Sequence, residues 1–213
     1  MIDSMGLYNL IVNTKEFNEE ELKEQRKHSA GLSLRDAQVA HESLPFITDF
    51  ASQKNVKTYH IFSQYTDSDS RAIGVSANYF ALSHFELFQG RSLNQADNKH
   101  FAQVALLGAN TAKQLFPLGD ALGQQIKINH LWFEVVGILQ APYLKKKEFQ
   151  GIKLGSEQNQ VFIPLSTALH RFENGLLESE LSSLKFAIDK SVDPIVAAQA
   201  LNHLLKNRHS DID

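Results

Sequence analysis

Apolar runs broken by polar clusters divide the chain into strands and helices. Residues 7–12 are apolar and rich in strand formers, so they read as a strand after Gly6. Residues 15–30 turn polar and charged and fit a short charged helix or an exposed loop. Ser33, with Asp36 three positions on, makes a capping-box pattern. Leu34, Ala37, Val39, Ala40 and Leu44 then supply a helical stripe that Pro45 ends. Residues 56–65 alternate loosely and predict a strand, 66–70 a turn, and 71–75 another strand.

The texture changes near residue 75. Residues 77–85 form a short apolar segment with Tyr79, Phe80 and Phe85. Gly90-Arg91 marks a turn, 93–97 a helical turn, and 103–107 a buried strand closed by Gly108. Residues 110–116 predict a helix that stops before Pro117. Residues 125–128 and 131–139 predict a hairpin about Asn129-His130. The stretch 140–159 is irregular. Residues 160–163 read as a strand punctuated by Pro164, and Ser166 as the cap of a helix running to about 172. After a strand at 184–188, Asp193 and Pro194 open a last helix. It carries Ile195, Ala198, Leu201, Leu204 and Leu205 at helical spacing, with Lys206 and Arg208 at its negative end. No internal repeat is present, and the element order gives an α+β fold.

Composition then narrows the chemistry. The chain has 213 residues, 43% hydrophobic and 21% charged, enough apolar material for a core and against disorder. With Cys 0, disulfides, thiolate metal sites and cysteine nucleophiles are excluded. The net charge of −3 gives no overall basic excess for phosphate binding, so no nucleic-acid partner is expected. Lys145-Lys146-Lys147 is followed at once by Glu148 and reads first as a solvated loop. No apolar run is long enough to span a bilayer, and residues 1–6 lack the pattern of a signal peptide. Taken alone, this composition fits a cytosolic chain.

Catalytic and cofactor patterns are missing as well. None of the 9 histidines forms a zincin pair. Gly108-Ala109-Asn110 lies between a strand and a helix but lacks the residues of a phosphate-binding loop, so it reads as a plain turn. There is no nucleophile elbow. Neither catalytic residues, cofactor nor metal are expected.

One ordered series of motifs is more specific. It runs GVSANYF (74–80), GRSLNQAD (90–97), VALLG (104–108), QLFP (114–117), LGQQIKI (122–128) and FEVVGIL (133–139). Outside it stand MGLYNL (5–10), LSLRDA (32–37), VFIPLSTA (161–168) and LLKNRH (204–209). This succession resembles the periplasmic core domain of MacB-type ABC transporter permeases over nearly the whole chain. The resemblance implies two lobes. A porter-like βαβ lobe comes from both chain ends, 1–74 and 159–213, and a smaller mixed α/β Sabre-like lobe, 75–158, is inserted in it.

In that family the domain is extracytoplasmic and catalyses nothing. The resemblance therefore implies a periplasmic localisation on an integral membrane protein, which revises the cytosolic reading. Its partners would be a cytoplasmic ATPase subunit or domain, a second permease copy and, in many members, a periplasmic adaptor and an outer-membrane channel. Its task would be to transmit an ATP-driven conformational change to substrate export. A lipoprotein-releasing or division-associated permease is the alternative within the resemblance. A soluble solute-binding protein or enzyme is the third reading and requires a deep polar pocket. The permease reading expects the two termini side by side, facing the membrane. Gly90, Arg91, Gly108, Phe116, Gly123, Gly137 and Pro164 are expected to be structural motif residues, with Arg91 in a salt bridge or carbonyl clamp. Tyr143, Lys145, Lys146, Lys147 and Phe149 are the candidate partner contacts.

Overall fold

The structure, a computed structural model, describes residues 8–14, 19–26, 31–140, 148–149, 152–153, 156–175 and 177–209. The first part of the chain gives β1 (Asn9–Asn13), α1 (Glu19–Gln25), α2 (Leu34–Ser43), β2 (Ile47–Asn55), β3 (Ile61–Phe62), β4 (Asp67–Ser68) and β5 (Arg71–Val75). The middle gives α3 (Tyr79–Leu82), β6 (Leu87–Gly90), α4 (Gln95–Lys99), β7 (Val104–Leu107), α5 (Ala109–Leu115), β8 (Gln125–Ile128) and β9 (Leu131–Leu139). Last come β10 (Glu148–Phe149), β11 (Ile152–Lys153), a 3₁₀ turn (Ser156–Asn159), β12 (Gln160–Pro164), α6 (Leu165–Arg171), β13 (Ser183–Ile188) and α7 (Pro194–Arg208).

Among the described residues, an 11-stranded sheet runs in the order β1-β13-β2-β5-β12-β7-β9-β8-β3-β4, with β6 added on β9. The fold is mixed α/β. β12 is the strand that joins its halves: it pairs parallel with β5 and antiparallel with β7. Val161, Phe162 and Ile163 are buried on both faces, which is why β12 reads as an unbroken apolar run. Phe162 faces the cluster of Tyr79, Phe80, Leu106 and Leu139. Val161 and Ile163 face Leu115, Ile126, Ile128 and Phe133. A third cluster holds α2 and α7 on the β1-β13-β2 end, around Ala37, Ala40, Leu184, Phe186 and Leu201.

Three expectations are corrected here. The strand expected at 56–65 lies instead at Ile47–Asn55, and only Ile61–Phe62 of the predicted stretch joins the sheet. β2 mixes polar residues into its pattern. Buried Lys54 is tolerated because Glu178 (3.2 Å) and the Ser179 carbonyl (2.7 Å) satisfy it. The residues before the Gly90-Arg91 turn form β6, whose ladder to β9 is non-local and leaves no periodic signal. Ser166 does not cap α6: Pro164 holds that position, and Ser166 instead donates its backbone N–H to Asn98 Oδ1 at 3.2 Å.

The described ends share one border of the sheet, since β1 is its edge strand and Leu204 and Leu205 of α7 pack against the same cluster as Leu10 and Val12. They sit at opposite ends of that border. Tyr8 accepts from Ile188 N–H at 2.8 Å, whereas His209 lines a cleft with Asn13 and Thr14. The described ends are therefore not side by side, and the termini themselves lie outside the described residues.

Candidate functional site

The last helix is fastened to the body through one buried acid. Asp36 is 1% exposed. Its carboxylate accepts from the Ser33 backbone N–H (2.9 Å) and hydroxyl (2.7 Å), closing the capping box of α2. The same carboxylate accepts from Arg208 Nε at 2.8 Å and faces His209 Nε2 at 3.3 Å. Burial would raise the Asp36 pKa, but hydrogen bonds from Ser33 and Arg208 outweigh it and hold the carboxyl below its usual range. A cleft of about 310 Å³ opens beside this joint, lined in part by Asn13, Thr14, Arg26, Lys206 and His209. Its size is at the lower end of small-molecule sites, roughly 300–1,000 Å³.

A second joint ties the motif residues of the middle segment. Arg91 forks onto Asp97 with Nη1–Oδ2 at 2.7 Å and Nη2–Oδ1 at 3.0 Å. Asp97 also accepts from the Asn94 N–H at 2.9 Å and so closes the capping box of α4. Burial works against the charged Asp97, yet Arg91 and Asn94 win and lower its pKa. The Arg91 N–H donates to the Val136 carbonyl at 2.9 Å, drawing β6 onto β9. That approach demands glycine twice. Gly90 has φ +80° and a Cβ there would strike the Val136 oxygen, while a Cβ on Gly137 would strike the Arg91 carbonyl oxygen.

The remaining motif residues are dispersed. Gly108 precedes α5, where a Cβ would meet the backbone of Glu157 and Gln158. Gln158 Oε1 accepts from Ala109 N–H at 3.2 Å, so the first turn of α5 is filled by the chain's own amide. Phe116 is buried edge-on to Tyr65, with ring centroids 6.2 Å apart. Gly123 stands at φ +75° in the turn before β8, and Pro164 ends β12. Tyr143, Lys145, Lys146 and Lys147 lie outside the described residues, as does the side chain of Phe149. The backbone of Phe149 pairs with Ile152 across β10 and β11.

A family model described as the MacB-like periplasmic core domain matches residues 2–204. The chain belongs to this family. The macrolide export ATP-binding/permease protein MacB of Escherichia coli strain K12 is 30% identical over 148 residues, 69% of this chain. The protein of the same name from Shigella flexneri matches equally. The chain spans 21% of the length of these curated relatives. Among solved structures, the periplasmic region of MacB from Actinobacillus actinomycetemcomitans superposes with TM-score 0.74 at 22% identity, covering 98% of this chain and 87% of that one. The extracellular domain of the noncanonic ABC-type transporter YknZ from Gram-positive bacteria superposes with TM-score 0.68 at 15% identity, covering 95% of both chains.

In this chain the candidate site is held by two ion-paired joints, Asp36–Arg208 and Arg91–Asp97. Among the described residues no helix is long and apolar enough to cross a membrane. No group of His, Asp or Glu among them is placed to hold a metal ion. The sequence reading missed the Asp36 joint. It took Asp36 as a cap and Arg208 as a dipole complement, and both are also partners across 172 positions. The available signal was that LSLRDA carries the acid Asp36 and LLKNRH the base Arg208.

Proposed function

We propose that this domain is the extracytoplasmic part of an ABC transporter permease, passing an ATP-driven conformational change to substrate export. The family match across residues 2–204 carries the reading. Its proposed partners are a cytoplasmic ATPase subunit or domain, a second permease copy, a periplasmic adaptor and an outer-membrane channel. The chain works as a porter-like lobe (1–74 and 159–213) and an inserted lobe (75–158). Arg91, Gly90 and Gly137 keep the inserted lobe in shape, and the loop bearing Tyr143, Lys145, Lys146, Lys147 and Phe149 meets the adaptor. Motion enters at α7, because the Asp36–Arg208 pair couples that helix to α2.

The test uses the full-length permease with its ATPase in a bilayer. Nitroxides on Glu42 of the two permease copies should change separation between nucleotide-free and ATP-trapped states. Asp36→Asn should lower export of a macrolide, the class named for the curated relatives, by more than it lowers ATP hydrolysis. An unchanged separation with export intact would overturn the reading.

A further inference from the structure

β1 is the border strand of the sheet, and among the described residues it pairs on one side only, with β13. Its faces differ. Leu10 and Val12 pack against the cluster under α2 and α7. Ile11 projects from the other face, 56% exposed, in register with Lys185 of β13 and through it with Ala51 of β2.

Lys185 is a half-buried cation whose partners are unusual. Its ammonium donates to Ser83 Oγ at 2.7 Å and sits 5.1 Å from the centroid of the Tyr79 ring. Among the described residues no carboxylate forms an ion pair with it. Asp49, the acid on the same face of β2, is taken by Asn78 Nδ2 and the Phe50 N–H, each at 2.8 Å. Burial lowers the Lys185 pKa, and Glu157 opposes this only through space. An ammonium has three protons to place. Withdrawing it from water without a carboxylate costs stability. A residue that breaks this rule beside a border that no described strand covers points to a ligand.

We propose that the β1 border and Lys185 form a docking site for an extended acidic peptide segment of a partner protein. The segment adds a strand to β1, its backbone pairing with the open edge. Alternate apolar residues extend the Leu10–Val12 row, and a carboxylate on the opposite face answers Lys185. The added strand lies ~10 Å from β13, two strand spacings, a gap that a lysine and a glutamate side chain span together. With a net charge of −3 the chain has no general attraction for acidic peptides, so recognition is local. This inference does not depend on the transport reading.

The probe is the capped heptapeptide Val-Glu-Val-Glu-Val-Glu-Val, titrated into the full chain by calorimetry. Saturable binding is expected, falling about tenfold or more with Lys185→Gln and retained with Lys185→Arg. The Lys185→Gln chain loses the Ser83 hydrogen bond and the Tyr79 ring contact but no ion pair, and it should remain folded at the titration temperature by circular dichroism. Replacing every peptide Glu by Gln should weaken binding as much, a comparison that needs no protein variant. Methylating alternate peptide nitrogens should abolish binding by blocking the edge. Equal affinity after Lys185→Gln, after the Glu-to-Gln change in the peptide or after its N-methylation overturns the site, as do a loss of binding with Lys185→Arg and a failure to bind at all. Inorganic phosphate competing at Lys185 while the peptide does not bind overturns the peptide as occupant.

Discussion

Asp36 does two jobs with one carboxylate, capping α2 and holding Arg208. Its side chain is 2% exposed and that of Arg208 30%. Removing the charge therefore strands a partly buried guanidinium. Asp36→Asn should cost about 2–3 kcal/mol at pH 7 in urea unfolding. Because the folded pKa is depressed, the stabilisation is complete above the ordinary aspartate value of about 3.9. It is lost as pH falls through the lower folded value. The Asp36→Asn chain should accordingly show a shallower acid limb, and an unchanged limb would assign the loss to other carboxylates. Gly137 offers a steric counterpart. Gly137→Ala pushes a methyl into the Arg91 carbonyl and should lower stability by about 2–3 kcal/mol. A melting point equal to the wild type would show that β6 can move aside freely.

Elements were legible where their signal is local. The capping boxes of α2 and α4, the hairpin β8–β9, and the Asp193-Pro194 start of α7 each follow from residues a few positions apart. Asp193 Oδ1 accepts from Ile195 N–H at 2.7 Å, as its place in the chain requires. β2 and β6 were illegible because their pairing comes from elsewhere. β2 places Ser52 and Lys54 inward, and only Glu178 and Ser179, far along the chain, make that lysine acceptable. β12 can be tested directly. Phe162 is fully buried and its ring lies 5.1 Å from Phe80 and 6.0 Å from Tyr79. Phe162→Ala should cost about 3–5 kcal/mol in denaturant unfolding. A loss under about 1 kcal/mol would mean that the cluster collapses into the cavity.

At the scale of the molecule, the sheet passes without a break from β5 through β12 to β7. The parts of the sheet on either side of β12 both pair with that strand, so neither can melt without stripping it. Thermal unfolding should therefore be one transition. The chain's 1 tryptophan, Trp132, lies on β9 at 52% exposure and reports on the β7-β9-β8 side of the sheet. Its fluorescence and the far-ultraviolet circular dichroism should coincide at every temperature. A Trp132 transition several degrees earlier would show the β7-β9-β8 side melting alone.

By itself the sequence determined the α+β class, most elements and the family, because each rests on local periodicity or on short motifs in order. The tertiary structure alone decided three things. It joined Asp36 to Arg208 across 172 positions. It made glycine obligatory at 137 by bringing the Arg91 carbonyl against it. It also left Lys185 facing a hydroxyl and a ring instead of a carboxylate. All three depend on which distant strands and helices become neighbours. That is set by the order of strands in the sheet, and a one-dimensional pattern of apolar and polar residues does not encode it.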